Sequence, residues 1–323
     1  MDLHPNDDQM ALLDMVRGFT EDRFPIETVR SFGDQGGFDR SRWVELAALG
    51  TFGIDIPETD GGAGLGFIDV VLAHESLGAA LVPGPLVAAT LAASVVDGVL
   101  DGSVVPCVVD LDQSDDVLVE HIGSADVLIT VADDGVRIRP TADVTWTPVV
   151  STDPTASVGL VTSLVPGAEI GGPDLARRWR QRGSLLASAQ LAGNSAGSTA
   201  LAVSYAIERE QFGRPIGSFQ GLKHLLADAW IRTEVARSSV WSAGVTVDEP
   251  ESGSPVRAIA GARLTAARAA TENAKTCVQV HGGMGFTWEV DAHLFLKRAW
   301  ILETQFGSID DAADAVASSL IGD

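Results

Sequence analysis

The stretch Glu208-Arg209-Glu210-Gln211-Phe212-Gly213-Arg214-Pro215-Ile216-Gly217-Ser218-Phe219-Gln220 closes one helical pattern, turns through Gly213 and Pro215, and opens another at Phe219. A Gly/Pro turn between two helices ordinarily does no more than connect them. This one gathers Arg209, Gln211, Arg214 and Gln220 in a chain that is otherwise acidic. Arg and Gln side chains beside the free N–H groups of a helix end suit a phosphate-bearing ligand. The plainer reading makes Arg209 a surface residue paired with Glu208 or Glu210, and places Phe212 and Phe219 in a core.

Outward from the turn, residues 175–211 form one long helical pattern rich in small side chains. Residues 219–245 form a second, with Leu222, Leu225, Leu226, Ala229, Ala236 and Val240 on one side. Beyond the polar linker 248–255, helices are predicted over 256–280, 291–305 and 308–320. Ser308 with Asp311 resembles a capping box with Asp in place of Glu. Long helices with small faces imply a tight bundle.

Toward the start, residues 6–24 carry Met10, Leu13, Val16 and Phe19 at helical spacing behind Asn6 as N-cap. A second helix is predicted over 41–48, an extended segment over 51–57 and a polar turn over 61–66. A further helix over 67–81 stops at Pro83-Gly84-Pro85, and a short one follows to about residue 100. Between 104 and 164 the pattern changes to β-branched runs at 104–109, 117–119, 127–131, 136–138 and 157–161. Asp133-Asp134-Gly135 reads as a hairpin turn between two of them. The fold class is therefore mostly α with a small β domain. Its expected divisions are an N-terminal helical domain 1–103, a shortened β domain 104–168 and a C-terminal helical bundle 169–323.

The 323 residues hold 22 Lys plus Arg against 44 Asp plus Glu, a net charge of -22. Nucleic acid and anionic membranes both need a basic footprint, so neither is expected as a partner. An anionic ligand must be held by local cations and backbone dipoles. Cys107 and Cys277 show no metal-ligand spacing and read as buried thiols in a reduced cytoplasm. The first four residues lack the basic-then-apolar pattern of a signal peptide. The longest apolar run, 86–100, is interrupted by Thr90, Ser94, Asp97 and Gly98, too short and too polar to span a bilayer. Arg177, Arg178, Arg180 and Arg182 suggest a CoA phosphate, an acidic partner or, with their long stems, a subunit surface.

Arg209-x-Gln211-Phe212-Gly213-x-Pro215-Ile216-x-x-Phe219-Gln220 resembles the flavin-contacting signature of the acyl-CoA dehydrogenase family. A second signature, Gln279-Val280-His281-Gly282-Gly283-Met284-Gly285-Phe286, stands at the expected distance downstream. A third resemblance lies in Gly53-Ile54-x-x-Pro57, Gly61-Gly62-x-Gly64-Leu65 and Glu75-x-Leu77-Gly78. The family's architecture is likewise helices, a β domain and a four-helix bundle, although its β domain is longer. The resemblance implies FAD shared at a subunit interface. Arg209, Gln211 and Phe212 would meet the pyrophosphate and ring edge of the neighbour's flavin, and Ile216, Phe219 and Gln220 its adenine end. Gln279, Gly282 and Gly283 would approach the diphosphate, since glycine leaves room for backbone contact. His281 and Met284 read as structural.

In that family a Glu removes the α proton of an acyl-CoA thioester while the β hydride passes to the flavin, and the base needs a pKa raised toward neutrality. The matching segment here is Gln305-Phe306-Gly307-Ser308, which puts Phe306 at the base position. A Phe accepts no proton. Glu303, about one turn earlier, is a local substitute in a different phase. The family's Thr-Glu-Pro-x-x-Gly-Ser-Asp and Trp-Ile-Thr stretches are missing from 104–164, where Trp146-Thr147 is the nearest echo. The chain thus resembles the short non-catalytic subunits that actinobacteria pair with a full-length acyl-CoA dehydrogenase subunit in α2β2 assemblies acting on steroid side-chain CoA esters. The partner would supply base, ring pocket and thioester site, with an electron-transfer flavoprotein as acceptor. Two alternatives stand beside this: a self-sufficient homo-oligomer with a displaced base such as Glu303, and a flavin-free structural subunit.

Overall fold

The structure, a computed structural model, describes residues 4–33, 37–111 and 117–321. The signal-peptide reading falls mostly on residues 1–3, outside the described residues. Helices α1 (Asp7–Arg23), α2 (Ile26–Gly33), α3 (Arg40–Ala48), α4 (Phe67–Ala79) and α5 (Leu86–Ala92) come first. Strands β1 (Pro106–Asp110), β2 (Leu118–Glu120), β3 (Val127–Ala132), β4 (Gly135–Pro140), β5 (Val144–Val149), β6 (Val158–Leu164) and β7 (Ala168–Gly171) follow. The remainder is α6 (Pro173–Glu208), the short strands β8 (Glu210–Gln211) and β9 (Arg214–Pro215), then α7 (Gln220–Asp248), α8 (Pro255–His281), α9 (Ala292–Leu302) and α10 (Ile309–Ile321). Two compact units interleave along the chain. One is built from Glu27–Val70 and Pro83–Leu186, the other from Met1–Ile26, Val71–Val82 and Ala187–Asp323.

The first unit holds α2, α3, α5 and both larger sheets. Asp39 caps α3 by accepting from the amides of Ser41 and Arg42, and Trp43 and Leu46 on that helix are buried. The segment predicted as extended at 51–57 is instead a run of turns. Gly53 N donates to Gly50 O, Ile56 N to Gly53 O and Leu65 N to Ile54 O, which folds the chain back on itself. Gly62 sits so close that a Cβ would lie 2.2 Å from the Ile56 carbonyl oxygen. β1, β3, β4 and β7 form a four-stranded sheet in that order, and β2, β6 and β5 a three-stranded antiparallel one. β1 pairs with β3 in parallel, across a crossover that a hairpin cannot make. The predicted turn joins β3 to β4, with Ala132 opposite Gly135 and Gly135 at φ +144°. β5 and β7 escaped the pattern reading because both are largely exposed and lack alternation.

At the arginine-rich start of α6 three of the four guanidinium groups pair with carboxylates of this chain, while Arg177 and Arg178 are exposed. Arg180 forks onto both carboxylate oxygens of Asp110 at 2.7 and 3.0 Å and reaches Asp133 at 2.6 Å. Arg182 pairs with Asp55 and lies over the Phe67 ring, while Arg177 pairs with Asp174. These pairs occupy three of the four cations that composition left open to an outside anion.

The second unit is the helical bundle. Asn6 and Gln9 close a full capping box on α1. α4 and α6 approach through glycine: a Cβ at Gly193 would stand 1.9 Å from the Glu75 carbonyl, and one at Gly78 would stand 2.3 Å from that of Gln190. Buried Glu75 holds Arg237 at 2.7 Å and the Trp241 indole at 2.6 Å. Inside the bundle, Asn273 Nδ2 lies within 3.1 Å of Ser195, Thr199 and Thr233 hydroxyls and the Ala229 carbonyl. Arg232 donates to its Oδ1 at 2.7 Å, so this polar cluster fixes the mutual register of α6, α7 and α8. Ser308 and Asp311 cap α10 reciprocally, at 2.9 and 3.0 Å. Both cysteines are buried and free. Among the described residues no helix is long and apolar enough to cross a membrane, and no His/Cys/Asp/Glu cluster could hold a metal ion.

Candidate functional site

α6 ends where Arg209 N donates to Tyr205 O at 2.9 Å, and the chain then doubles back as the β8–β9 hairpin. Glu210 faces Pro215 and Gln211 faces Arg214, leaving Phe212-Gly213 as a two-residue turn. Both turn residues have positive φ, +54° and +77°, as tight hairpins with the favoured twist require. Glycine does this freely. Phe212 does it at a cost of about 1–3 kcal/mol, and its side chain is 92% exposed. Ile216 N donates back to Arg209 O at 2.8 Å and locks the base of the hairpin.

Phe219 is half-buried, with Phe212 edge-on at 6.1 Å and the Arg214 guanidinium over its face at 4.1 Å. Phe212 is therefore no core residue, and Phe219 is one in part. Gln211 turns its amide onto the Glu210 carbonyl at 2.8 Å. Arg209 and Gln220 are exposed. Among the described residues the Arg209 side chain makes no ion pair, although Glu208 and Glu210 flank it. Phe219 is the N-cap of α7 and supplies no side-chain bond, so that helix opens with its first amides uncapped.

The second segment closes α8. Gln279 is exposed on the last turn, and its carbonyl accepts from Gly282 N, so that amide serves the cap and is not a free donor. Gly282 has φ +60°, which glycine alone adopts without strain. Gly283 is exposed, and a Cβ there would meet nothing within 4 Å. Gly285 is different in kind: a Cβ would lie 2.3 Å from the Val278 carbonyl, so the turn is packed down at that point.

What joins the two segments is a side chain the motif reading passed over. Tyr205, the chain's single tyrosine, stacks on His281 with ring centroids 4.1 Å apart. His281 is buried and donates from Nδ1 to Cys277 O at 2.8 Å. Tyr205, Ile216, Leu222 and Val290 all pack on one core of Ala202, Ala206, Cys277, Val278, Val280 and Ala292. Exposed Arg209, the uncapped start of α7 and the open Gly283 thus share one end of the bundle. An unpaired guanidinium, free helix-end amides and a backbone with no Cβ suit a diphosphate.

The 303–307 turn is built differently. Arg263 is 1% exposed, and its Nη2 donates to the carbonyls of Leu302, Glu303, Gln305 and Gly307 at 2.8–3.1 Å. Its Nε and Nη1 have no acceptor among the described residues, and burial pushes its pKa down to about 10. Phe306 sits half-buried in this turn at φ +52°. Glu303 accepts a hydrogen bond from Thr271. In the other unit, Trp146 lies on β5 against Gly159 and Gly123, a packing contact within the three-stranded sheet and its neighbouring loop.

Residues 6–100 match the acyl-CoA dehydrogenase N-terminal domain and residues 177–321 the acyl-CoA dehydrogenase C-terminal domain. The chain is 32% identical over 294 residues to acyl-CoA dehydrogenase IpdE2 of Mycobacterium tuberculosis, covering 85% of each. The fold is shared with the ChsE4–ChsE5 complex of M. tuberculosis, at TM-score 0.87 and 23% identity over 100% of both chains. It is also shared with a variant of the Tcur3481–Tcur3483 steroid ACAD, at TM-score 0.83 and 24% identity over 98% of this chain and 99% of that one.

Proposed function

The chain belongs to the acyl-CoA dehydrogenase family, and on that premise we propose that it is the non-catalytic subunit of a heteromeric, FAD-dependent acyl-CoA dehydrogenase. In this reading Arg209, Gln211 and Phe212 close over the pyrophosphate of a flavin seated mainly in the partner, with the α7 N-terminus adding its dipole. Ile216, Phe219 and Gln220 border the adenine, and Gln279, Gly282 and Gly283 complete the rim. The flavin, when bound, supplies the acceptor for the substrate's β hydride. This chain's own part is to hold the nucleotide and exclude water, while the full-length partner abstracts the α proton.

One observation carries the reading. Where the family's base is expected, the chain has Phe306, on a turn fastened from below by Arg263. The nearest carboxylate in sequence, Glu303, already accepts a hydrogen bond from Thr271 and stands about one helical turn before Phe306, in a different phase. The likeness to one chain of the two-chain ChsE4–ChsE5 complex supports a hetero-oligomer of the α2β2 kind, and the steroid ACAD neighbour supports a steroid side-chain CoA ester as substrate. An electron-transfer flavoprotein as acceptor and a cytoplasmic setting complete the proposal.

The test is a flavin count on the native complex. Purified alone, the chain should be colourless; with its partner it should give a yellow complex holding half as many flavins as subunits. Glu303→Gln should leave turnover of the complex intact. A yellow, active homo-oligomer that loses turnover on Glu303→Gln would instead establish a self-sufficient enzyme. Unchanged flavin content in Arg209→Ala would establish a purely structural subunit.

A further inference from the structure

Beyond the nucleotide contacts, the same end of the bundle displays aromatic side chains that no flavin contact accounts for. Phe286 is 83% and Trp288 64% exposed. Neither is loosely hung. Gly285 is packed on the Val278 carbonyl, Thr287 bonds back to Met284 O through both N (2.9 Å) and Oγ1 (2.8 Å), and Glu289 N reaches Thr287 Oγ1. Lys297 Nζ lies 4.0 Å from the centre of the Trp288 ring and His293 meets it edge-on at 4.5 Å. The indole is thus contacted by two side chains and still largely exposed. Val290, two residues on, packs into the core shared with the hairpin base.

We infer that Phe286 and Trp288 are the anchors by which this chain docks onto the full-length acyl-CoA dehydrogenase subunit. The inference rests on the heteromeric reading above and names the surface that reading needs. Two quantities favour it. Phe286 and Trp288, two residues apart, together present roughly 330 Å² of apolar surface. That lies in the range of the largest apolar patches of soluble monomers and is about two fifths of the ~800 Å² one partner contributes to a standard interface. Charge points the same way. Residues 203–225 carry Arg209, Arg214 and Lys223 against Glu208 and Glu210, and residues 279–297 carry Lys297 against Glu289 and Asp291. The two segments sum to +1 − 1 = 0 in a chain of net charge -22, so they carry none of the excess negative charge that would restrict which protein surfaces can approach. Rigid aromatic anchors lose little entropy on docking, which is why such residues dominate interfaces.

The probe is the full-length acyl-CoA dehydrogenase chain that yields a yellow complex when co-expressed with wild type, studied by native mass analysis and titration. Phe286→Ala/Trp288→Ala should weaken association at least ~100-fold, with flavin per surviving complex unchanged. Arg209→Ala should do the reverse, leaving association within about threefold and emptying the complex of flavin. Should the double variant melt early, Phe286→Lys, at a side chain already in solvent, replaces it with the same expected loss. Association of these variants within about threefold of wild type overturns the inference and leaves the heteromeric reading standing. Self-association of the purified chain that these substitutions abolish makes a second copy the occupant and overturns it too. No yellow complex between wild type and any full-length chain overturns both.

Discussion

Tyr205 stacks on His281 at 4.1 Å, with 26° between the ring planes, and Arg209 N hangs from the Tyr205 carbonyl. The two halves of the proposed nucleotide surface are therefore coupled through one ring pair. Tyr205→Ala should lower stability by about 2–3 kcal/mol and also reduce flavin content of the complex, because the hairpin and the Gly282 turn lose their common support. Tyr205→Phe keeps the stack and should change neither by much. Denaturant unfolding and flavin absorbance of the same samples check this.

Phe212 combines a positive φ with near-complete exposure. Asn tolerates that backbone better than Phe, so Phe212→Asn should leave the isolated chain as stable as wild type or raise it by up to ~1 kcal/mol. The complex should weaken at the same time. A melt of the free chain set beside a binding titration would reveal the opposite signs.

Arg263 supports the 303–307 turn by donating to four carbonyls. Arg263→Met should cost about 2–3 kcal/mol, since buried carbonyls lose their donor while one burdensome buried charge is removed. Faster hydrogen exchange should be confined to that turn and the adjoining end of α9. A uniform rise across the bundle would contradict the assignment.

His74 is fully buried, with Nδ1 3.1 Å from the Gln190 side-chain amide, and desolvation pushes its pKa from 6.5 down to about 3. Below pH 6.5 the unfolded chain takes up a proton that the folded one refuses. Stability should therefore fall as pH drops from 6.5 toward 3, by up to roughly 1.4 kcal/mol per pH unit for one proton. His74→Gln should flatten that slope by one proton's worth in denaturant titrations across the window.

Both thiols are buried, and desolvation pushes Cys107 up and Cys277 up to about 12. The thiolate is the reactive form, so alkylation should be negligible in the native chain and complete in denaturant. Mass shifts with and without denaturant give the answer.

Local signals were the most legible part of the sequence. Asn6 with Gln9, Ser308 with Asp311 and Asp133-Asp134-Gly135 each declare a cap or turn through groups a few residues apart. Signals that depend on distant partners were not legible. The 51–57 segment reads as extended by composition, but Gly62 lets the chain fold back over it. Composition offered Arg180 and Arg182 to outside ligands, because Asp110 and Asp55 lie 70 and 127 residues away in sequence. β5 and β7 are edge strands whose exposed faces erase the alternation. At the candidate site the motif residues could be named, but Tyr205 and Arg263 could not. Each acts by holding others in place, and no spacing rule marks such a role.

The interleaving of the two compact units bears on how the protein is made. The bundle unit draws on Met1–Ile26, Val71–Val82 and Ala187–Asp323, so its first helix must wait, unhoused, until the last part of the polypeptide has been synthesised. A cut after residue 186 falls inside α6. Fragments drawn along the chain at that point would leave the bundle unit short of a piece, and expression of residues 187–323 alone should yield aggregate rather than a miniature of the whole.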